Sequence, residues 1–125
     1  MSEYQLADGS DAEASYASVD PQPASEGLLY PDRVYAIDGT PIDKGLPFVI
    51  WRYGPQLDED DYDSLLTQFG LSSATSNDVT IKTQTGAGRD TWSDYNGKII
   101  RPARPEYREG YYRNVEFRIV GLEST

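Results

Sequence analysis

Two stretches with a side-chain period of two limit this chain more than anything else in it. Asp78-Val79-Thr80-Ile81-Lys82-Thr83-Gln84-Thr85 alternates apolar and polar residues until Gly86-Ala87-Gly88 interrupts it. Tyr112-Arg113-Asn114-Val115-Glu116-Phe117-Arg118-Ile119-Val120 alternates again, with Val115, Phe117 and Ile119 on one face. Successive side chains of a strand point to opposite sides of a sheet, so this pattern makes one dry face and one wet face. Each dry face has to be covered by another element, and the rest of the chain is read for what covers it.

One helix is written between Gln56 and Gly70. Asp58 is the expected N-cap, with Leu57 before it and Tyr62 after it forming a hydrophobic staple. Glu59, Asp60 and Asp61 place negative charge at the positive end of the helix dipole. Tyr62, Leu65, Leu66 and Phe69 follow the spacing of one apolar stripe, and Gly70 is the expected left-handed cap.

Shorter runs read as further strands. Arg33-Val34-Tyr35-Ala36-Ile37 ends at the turn signal Asp38-Gly39. Phe48-Val49-Ile50-Trp51-Arg52-Tyr53 is the most apolar run and stops at Gly54-Pro55. Gly97-Lys98-Ile99-Ile100 reads as a strand, with Asp90 to Tyr95 as the connection leading to it. Two prolines keep Arg101 to Pro105 extended or turning, and Glu106 to Tyr111 leads into the final strand. The expected fold class is α+β: a mainly antiparallel β sheet or sandwich with one short helix and an extended N-terminal arm.

That arm, residues 1–26, has no Lys or Arg and little apolar content, and it ends in Asp20-Pro21-Gln22-Pro23. Such a stretch buries too little surface by itself to offset its ordering entropy. It is read either as a solvated tail or as an arm that folds onto a neighbouring subunit through Tyr4, Leu6 and Tyr16. Residues 27–125 are read as a single α+β domain.

The residue inventory excludes several kinds of chemistry. With no His and no Cys, the chain lacks the commonest general base, thiolate nucleophiles and thiolate metal sites. No Ser-His-Asp arrangement can be assembled, and no cofactor, metal site or enzymatic activity is expected. The acidic run Asp58-Glu59-Asp60-Asp61-Asp63 lacks the spacing of a calcium loop and is better explained as dipole-complementing. Asp90 and Asp94 are read as turn residues in preference to a glycosidase pair. Gly86-Ala87-Gly88 lacks the Lys-Ser/Thr ending of a phosphate loop. A net charge of -10 disfavours nucleic acid and anionic membrane surfaces as partners. There is no apolar run of membrane-spanning length and no basic signal-peptide start.

Charge is also unevenly placed. The arm is acidic, while Lys98, Arg101, Arg104, Arg108, Arg113 and Arg118 gather in the last third, so the two ends are expected to attract. Tyr107, Tyr111 and Tyr112 are interleaved with these cations. Arg and Tyr are enriched at protein interfaces, so Arg101, Arg104, Arg108, Tyr111 and Arg113 are the expected contact residues.

The C-terminal half resembles a known group of proteins. Val79-Thr80-Ile81-Lys82-Thr83, Trp92-Ser93-Asp94-Tyr95-Asn96-Gly97 with Arg101-Pro102, and Tyr111-Tyr112-Arg113-Asn114-Val115-Glu116-Phe117-Arg118-Ile119 with Gly121-Leu122-Glu123 look like the closing strands of small tail structural proteins of tailed bacteriophages. The helix before them fits the same pattern, so the resemblance spans Leu57 to Glu123. It implies a virion component in the tail or head–tail junction, assembled in the host cytoplasm. The implied partners are other copies of the chain and neighbouring virion proteins. Capsid decoration is a variant of this expectation. A carbohydrate- or receptor-binding β module, with Trp51, Trp92 and the tyrosines as stacking platforms, is the alternative.

Overall fold

Antiparallel pairing organises almost every strand of the chain. The computed structural model describes residues 3–25, 27–30, 32–53, 57–85, 91–102 and 106–125; at 32–35, 42–44, 106 and 108 it describes the backbone alone. In chain order the elements are β1 (Gln5–Asp8), β2 (Ala17–Ser18), β3 (Asp32–Tyr35), β4 (Pro41–Lys44), β5 (Val49–Arg52), β6 (Leu57–Asp58), α1 (Glu59–Gln68), β7 (Ser76–Gln84), β8 (Trp92–Ile100), β9 (Glu106–Arg108), β10 (Tyr111–Arg113) and β11 (Glu116–Ser124). A curled six-stranded sheet runs in the order β2-β1-β7-β8-β11-β5. A small sheet β6-β10-β9 and a separate two-stranded ribbon β3-β4 complete the architecture. The fold is α+β and dominated by its sheet.

The inner faces of the sheet follow the alternation in the sequence. Val79, Ile81 and Thr83 of β7, Val49 and Trp51 of β5, and Phe117 and Ile119 of β11 are all buried. Helix α1 closes over them with the expected stripe, since Tyr62, Leu65, Leu66 and Phe69 are all buried. Removing such side chains from water is worth about 2 kcal/mol each, so this stripe fixes where the helix sits. Phe69 meets Phe117 edge-on at 4.9 Å and lies 6.0 Å from Trp51. The Asp58 carboxylate accepts the Asp60 amide, as an N-cap should. At the other end Gly70 has φ +74, and the amides of Gly70 and Leu71 reach the carbonyls of Thr67 and Leu66. These two bonds complete a Schellman closure.

Four expectations need correction. First, the N-terminal arm is part of the sheet. β1 pairs with β7 from Gln5↔Lys82 to Asp8↔Val79, and Tyr4, Leu6 and Val19 join the main core. The segment then crosses to the opposite edge, where Ala24 bridges Arg52 of β5. A few large side chains plus a β ladder supply what the arm's composition does not.

Second, Asp90 to Tyr95 is not all connection. β8 begins at Trp92 and stays in unbroken register with β7, from Gln84↔Trp92 to Ser76↔Ile100. The ladder extends the strand through residues whose side chains are only half-buried, where alternation is hard to read. Third, Tyr112 to Val120 is two strands. Asn114 has φ +54, and the chain there leaves β10, which pairs with β6 and β9, for β11, which pairs with β5 and β8. Fourth, Glu106 to Tyr111 forms a hairpin of its own, turned through Glu109 (φ +50) and Gly110 (φ +88).

Candidate assembly surfaces

Among the expected contact residues, those in the arm are spent inside the chain. Tyr4 packs edge-on against Trp51 at 5.5 Å and Trp92 at 4.8 Å, and its hydroxyl reaches Gln84 Oε1 at 3.2 Å. Leu6 stands opposite Ile81 and is 2 % exposed. Neither is available to anchor a neighbouring subunit in this conformation. Tyr16 is half-buried and donates to Asp94 Oδ1 at 2.8 Å. Burial, reinforced by that carboxylate, pushes the Tyr16 phenol above its ordinary range.

The arm is held by directional hydrogen bonds, and among the described residues none of those bonds goes to a cation of the last third. Buried Thr80 accepts the Ala12 amide at 3.0 Å and donates to the Gly9 carbonyl at 2.9 Å. Asn96 accepts the Asp11 amide and donates to the Asp11 carboxylate, both at 2.8 Å. Asn77 donates to Asp8 at 2.8 Å. The expected attraction between the chain's ends is therefore not what seats the arm among the described residues; hydrogen bonds to Thr80, Asn96 and Asn77 do.

The cations of the last third are engaged locally. Lys98 lies 3.8 Å from Asp78, Arg118 lies over the Phe48 ring at 5.2 Å, and an Arg101 guanidinium nitrogen approaches the Leu71 carbonyl at 3.4 Å. Arg104 lies outside the described residues, as do Asp90 and Gly86-Ala87-Gly88. The backbone of Arg108 is opposite Tyr111, and that of Arg113 is opposite Glu106. The fold thus collects Arg108, Tyr111 and Arg113 on one short hairpin. Arg101 lies beside it, close enough to Tyr62 and Tyr112 for its charge to offset part of the rise that burial gives both phenols.

That hairpin is stiffened by aromatic contacts. Tyr112 lies 4.2 Å from Tyr62 of the helix and 5.0 Å from Tyr107, and Tyr107 donates to Glu59 Oε2 at 3.3 Å. Outside this stack Tyr107 is 54 % exposed and Tyr111 44 %. Tyr107 is an exposed aromatic residue that stands outside the expected contact set. Trp51, proposed as a stacking platform for sugar, is fully buried and cannot serve as one.

Two further features lie away from this hairpin. The β3–β4 ribbon carries exposed Tyr30 and Leu46 at its base and fully exposed Ile37 at its tip. On the sheet, the register of β11 against β8 shifts between Val120 and Glu123, and Gly121 takes φ +65. Beside this bulge lies an open hollow of about 410 Å³ lined by Gly97, Val120 and Gly121 together with the polar and charged residues Ser10, Asp78, Asn96, Lys98 and Glu123. Gly97 is required by the packing on the buried side of the sheet, where a Cβ would come within 2.7 Å of Leu122 Cδ2 and 3.1 Å of both Ile119 Cγ2 and the Val120 carbonyl. Bulges commonly mark places where a sheet meets something else.

Among the described residues, no group of three or more carboxylates is placed to hold a metal ion, and no helix is long and apolar enough to cross a membrane. Comparison with family models, with curated proteins and with solved structures finds no match to this chain.

Proposed function

We propose that this chain is a structural subunit of a tailed-phage particle, in the tail or at the head–tail junction, that assembles through lateral contacts between copies. The phage assignment rests on the resemblance of the strands from Leu57 to Glu123. The assembly reading is carried by one observation: Tyr107 and Tyr111 stay exposed on a hairpin whose backbone is fixed by the Tyr62–Tyr112 stack. Rigid, exposed tyrosines cost little side-chain entropy when a partner covers them, and with arginine they are the residues that dominate interface energetics. A net charge of -10 sets a repulsive background between copies, so contact has to be concentrated at such a place.

The test is oligomeric state across a concentration series, by sizing with light scattering, for the wild type and for Tyr111→Ala with Arg113→Ala. The expected result is a concentration-dependent oligomer for the wild type and a monomer of unchanged thermal midpoint for the double variant. A wild type that stays monomeric at every concentration overturns the proposal, as does a double variant that assembles unchanged.

A further inference from the structure

An antiparallel sheet that rests one face on a core carries polar side chains on the other. One part of the outer face departs from that rule. Ile50 of β5, Arg118 of β11 and Ile100 of β8 stand side by side in register across three strands. They alternate with buried Val49, Ile119 and Ile99, which form the adjoining row on the inner face. Ile100 is 37 % exposed and Ile50 is half-buried, as is Phe48, whose ring lies 5.2 Å under the Arg118 guanidinium. Aliphatic side chains around an arginine stacked on an aromatic ring have the composition of an interface. To either side of this row Arg52 pairs with Glu116 at 3.2 Å and Lys98 with Asp78 at 3.8 Å, which leaves Arg118 as its net charge.

The neighbouring part of the same outer face is acidic. Between β1 and β2 the arm crosses β7 and β8 on their outer side, held there by Thr80 and Asn96, which stand opposite each other. This crossing brings the exposed carboxylates of Asp8 and Asp11 to that side, and Glu123 of β11, also exposed, stands in register with Asn96. No lysine or arginine of the arm offsets them. Asn96 and Ile100 are four residues apart on β8, so the acidic part and the Arg118 row are separated by ~13 Å. Among the described residues no hydrogen bond or ion pair joins Arg118 to Asp8, Asp11 or Glu123. The attraction that the sequence predicts between the arm and the last third is therefore unmet within the chain at this face.

We propose that this outer face docks on the same face of a second copy across a two-fold axis. The Ile50–Arg118–Ile100 row of each copy then lies against the acidic part of the other. This rests on the reading that copies assemble, and names a second contact through which they do so. The two parts lie side by side on one face, so a half-turn superposes each on its opposite and both are covered at once. Row against row is disfavoured, because it would bring the two Arg118 charges together. Row against acidic part gives each Arg118 carboxylates to bind, while Ile50 and Ile100 leave water. On a molecule of net charge -10, a row with net positive charge attracts what the rest of the surface repels. Against that repulsion neither this contact nor the hairpin holds copies alone, so the loss of either releases monomer.

The test is charge reversal on the full-length chain, read by sizing with light scattering across a concentration series. Arg118→Glu reverses the row and Glu123→Arg reverses the acidic part. Ile100→Asp puts a charge on a side chain that is already exposed, so it probes the row without entering the core. Each variant alone should keep the wild-type thermal midpoint and raise the concentration needed for assembly about ten-fold or more. Arg118→Glu and Glu123→Arg chains mixed in equal amounts should assemble as the wild type does, since each restores the opposite charge that the other has lost. A wild type that assembles while the three variants assemble unchanged, or a mixture that fails to recover, overturns this contact and leaves the assembly reading standing. A wild type that is monomeric at every concentration overturns both.

Discussion

The indole N–H of Trp51 donates to the hydroxyl of Thr83 at 3.2 Å, and both residues are fully buried. The bond links β5 to β7 across the inside of the curled sheet, between strands that are not neighbours in it. Thr83→Val keeps the shape and removes the acceptor. A buried donor left without a partner costs about 1–3 kcal/mol, so the urea midpoint should fall by that equivalent with an unchanged m value.

Thr80 is the second buried polar residue of β7, and it faces the other way. It holds the turn of the arm through the Ala12 amide and the Gly9 carbonyl. Thr80→Val should therefore loosen the arm before it loosens the sheet. Amide exchange should accelerate across residues 5–12, while β8 and β11 keep their protection.

Several tyrosines give the fold an alkaline limit. Burial is the main cause that holds the Tyr4, Tyr16, Tyr53 and Tyr62 phenols above their ordinary value, and the nearby Asp20 adds to the effect at Tyr53. The folded chain retains these protons where the unfolded chain releases them. Their contribution is complete below the unfolded phenol value of about pH 10 and is lost as pH rises beyond it. The share of the tyrosinate absorbance that comes from these four phenols should therefore appear together with unfolding at high pH. Tyr53→Phe, which also removes the bond to the Pro21 carbonyl, should flatten the fall of stability with alkaline pH.

Asp58 serves two elements at once, as the last residue of β6 and the cap of α1. Asp58→Ala should cost about 1 kcal/mol in thermal or urea unfolding through the lost cap. Asp58→Asn keeps an acceptor and should recover most of it.

The helix was legible in the sequence because its signals are local: a cap, an acidic first turn, a four-residue stripe and a closing glycine all lie within Asp58 to Gly70. The inner faces of β7 and β11 were legible for the same reason, since Val79, Ile81, Val115, Phe117 and Ile119 keep the period of the side that is dry. Exposure at the expected contact residues was legible only in part. Tyr111 and Arg113 reach the surface of one hairpin, whereas Tyr4 and Leu6 look alike as anchors whether their partner is a neighbour or their own β7.

By itself the sequence determined which residues face inward, where the helix starts and stops, and that no His or Cys chemistry is on offer. Only the tertiary structure decided what covers each dry face. It placed the acidic arm on β7, extended β8 back to Trp92, divided the last strand at Asn114, and set the bulge at Gly121. The physical reason is that side-chain periodicity records a preference for burial, whereas the partner that satisfies it is chosen by backbone ladders between residues far apart in the chain.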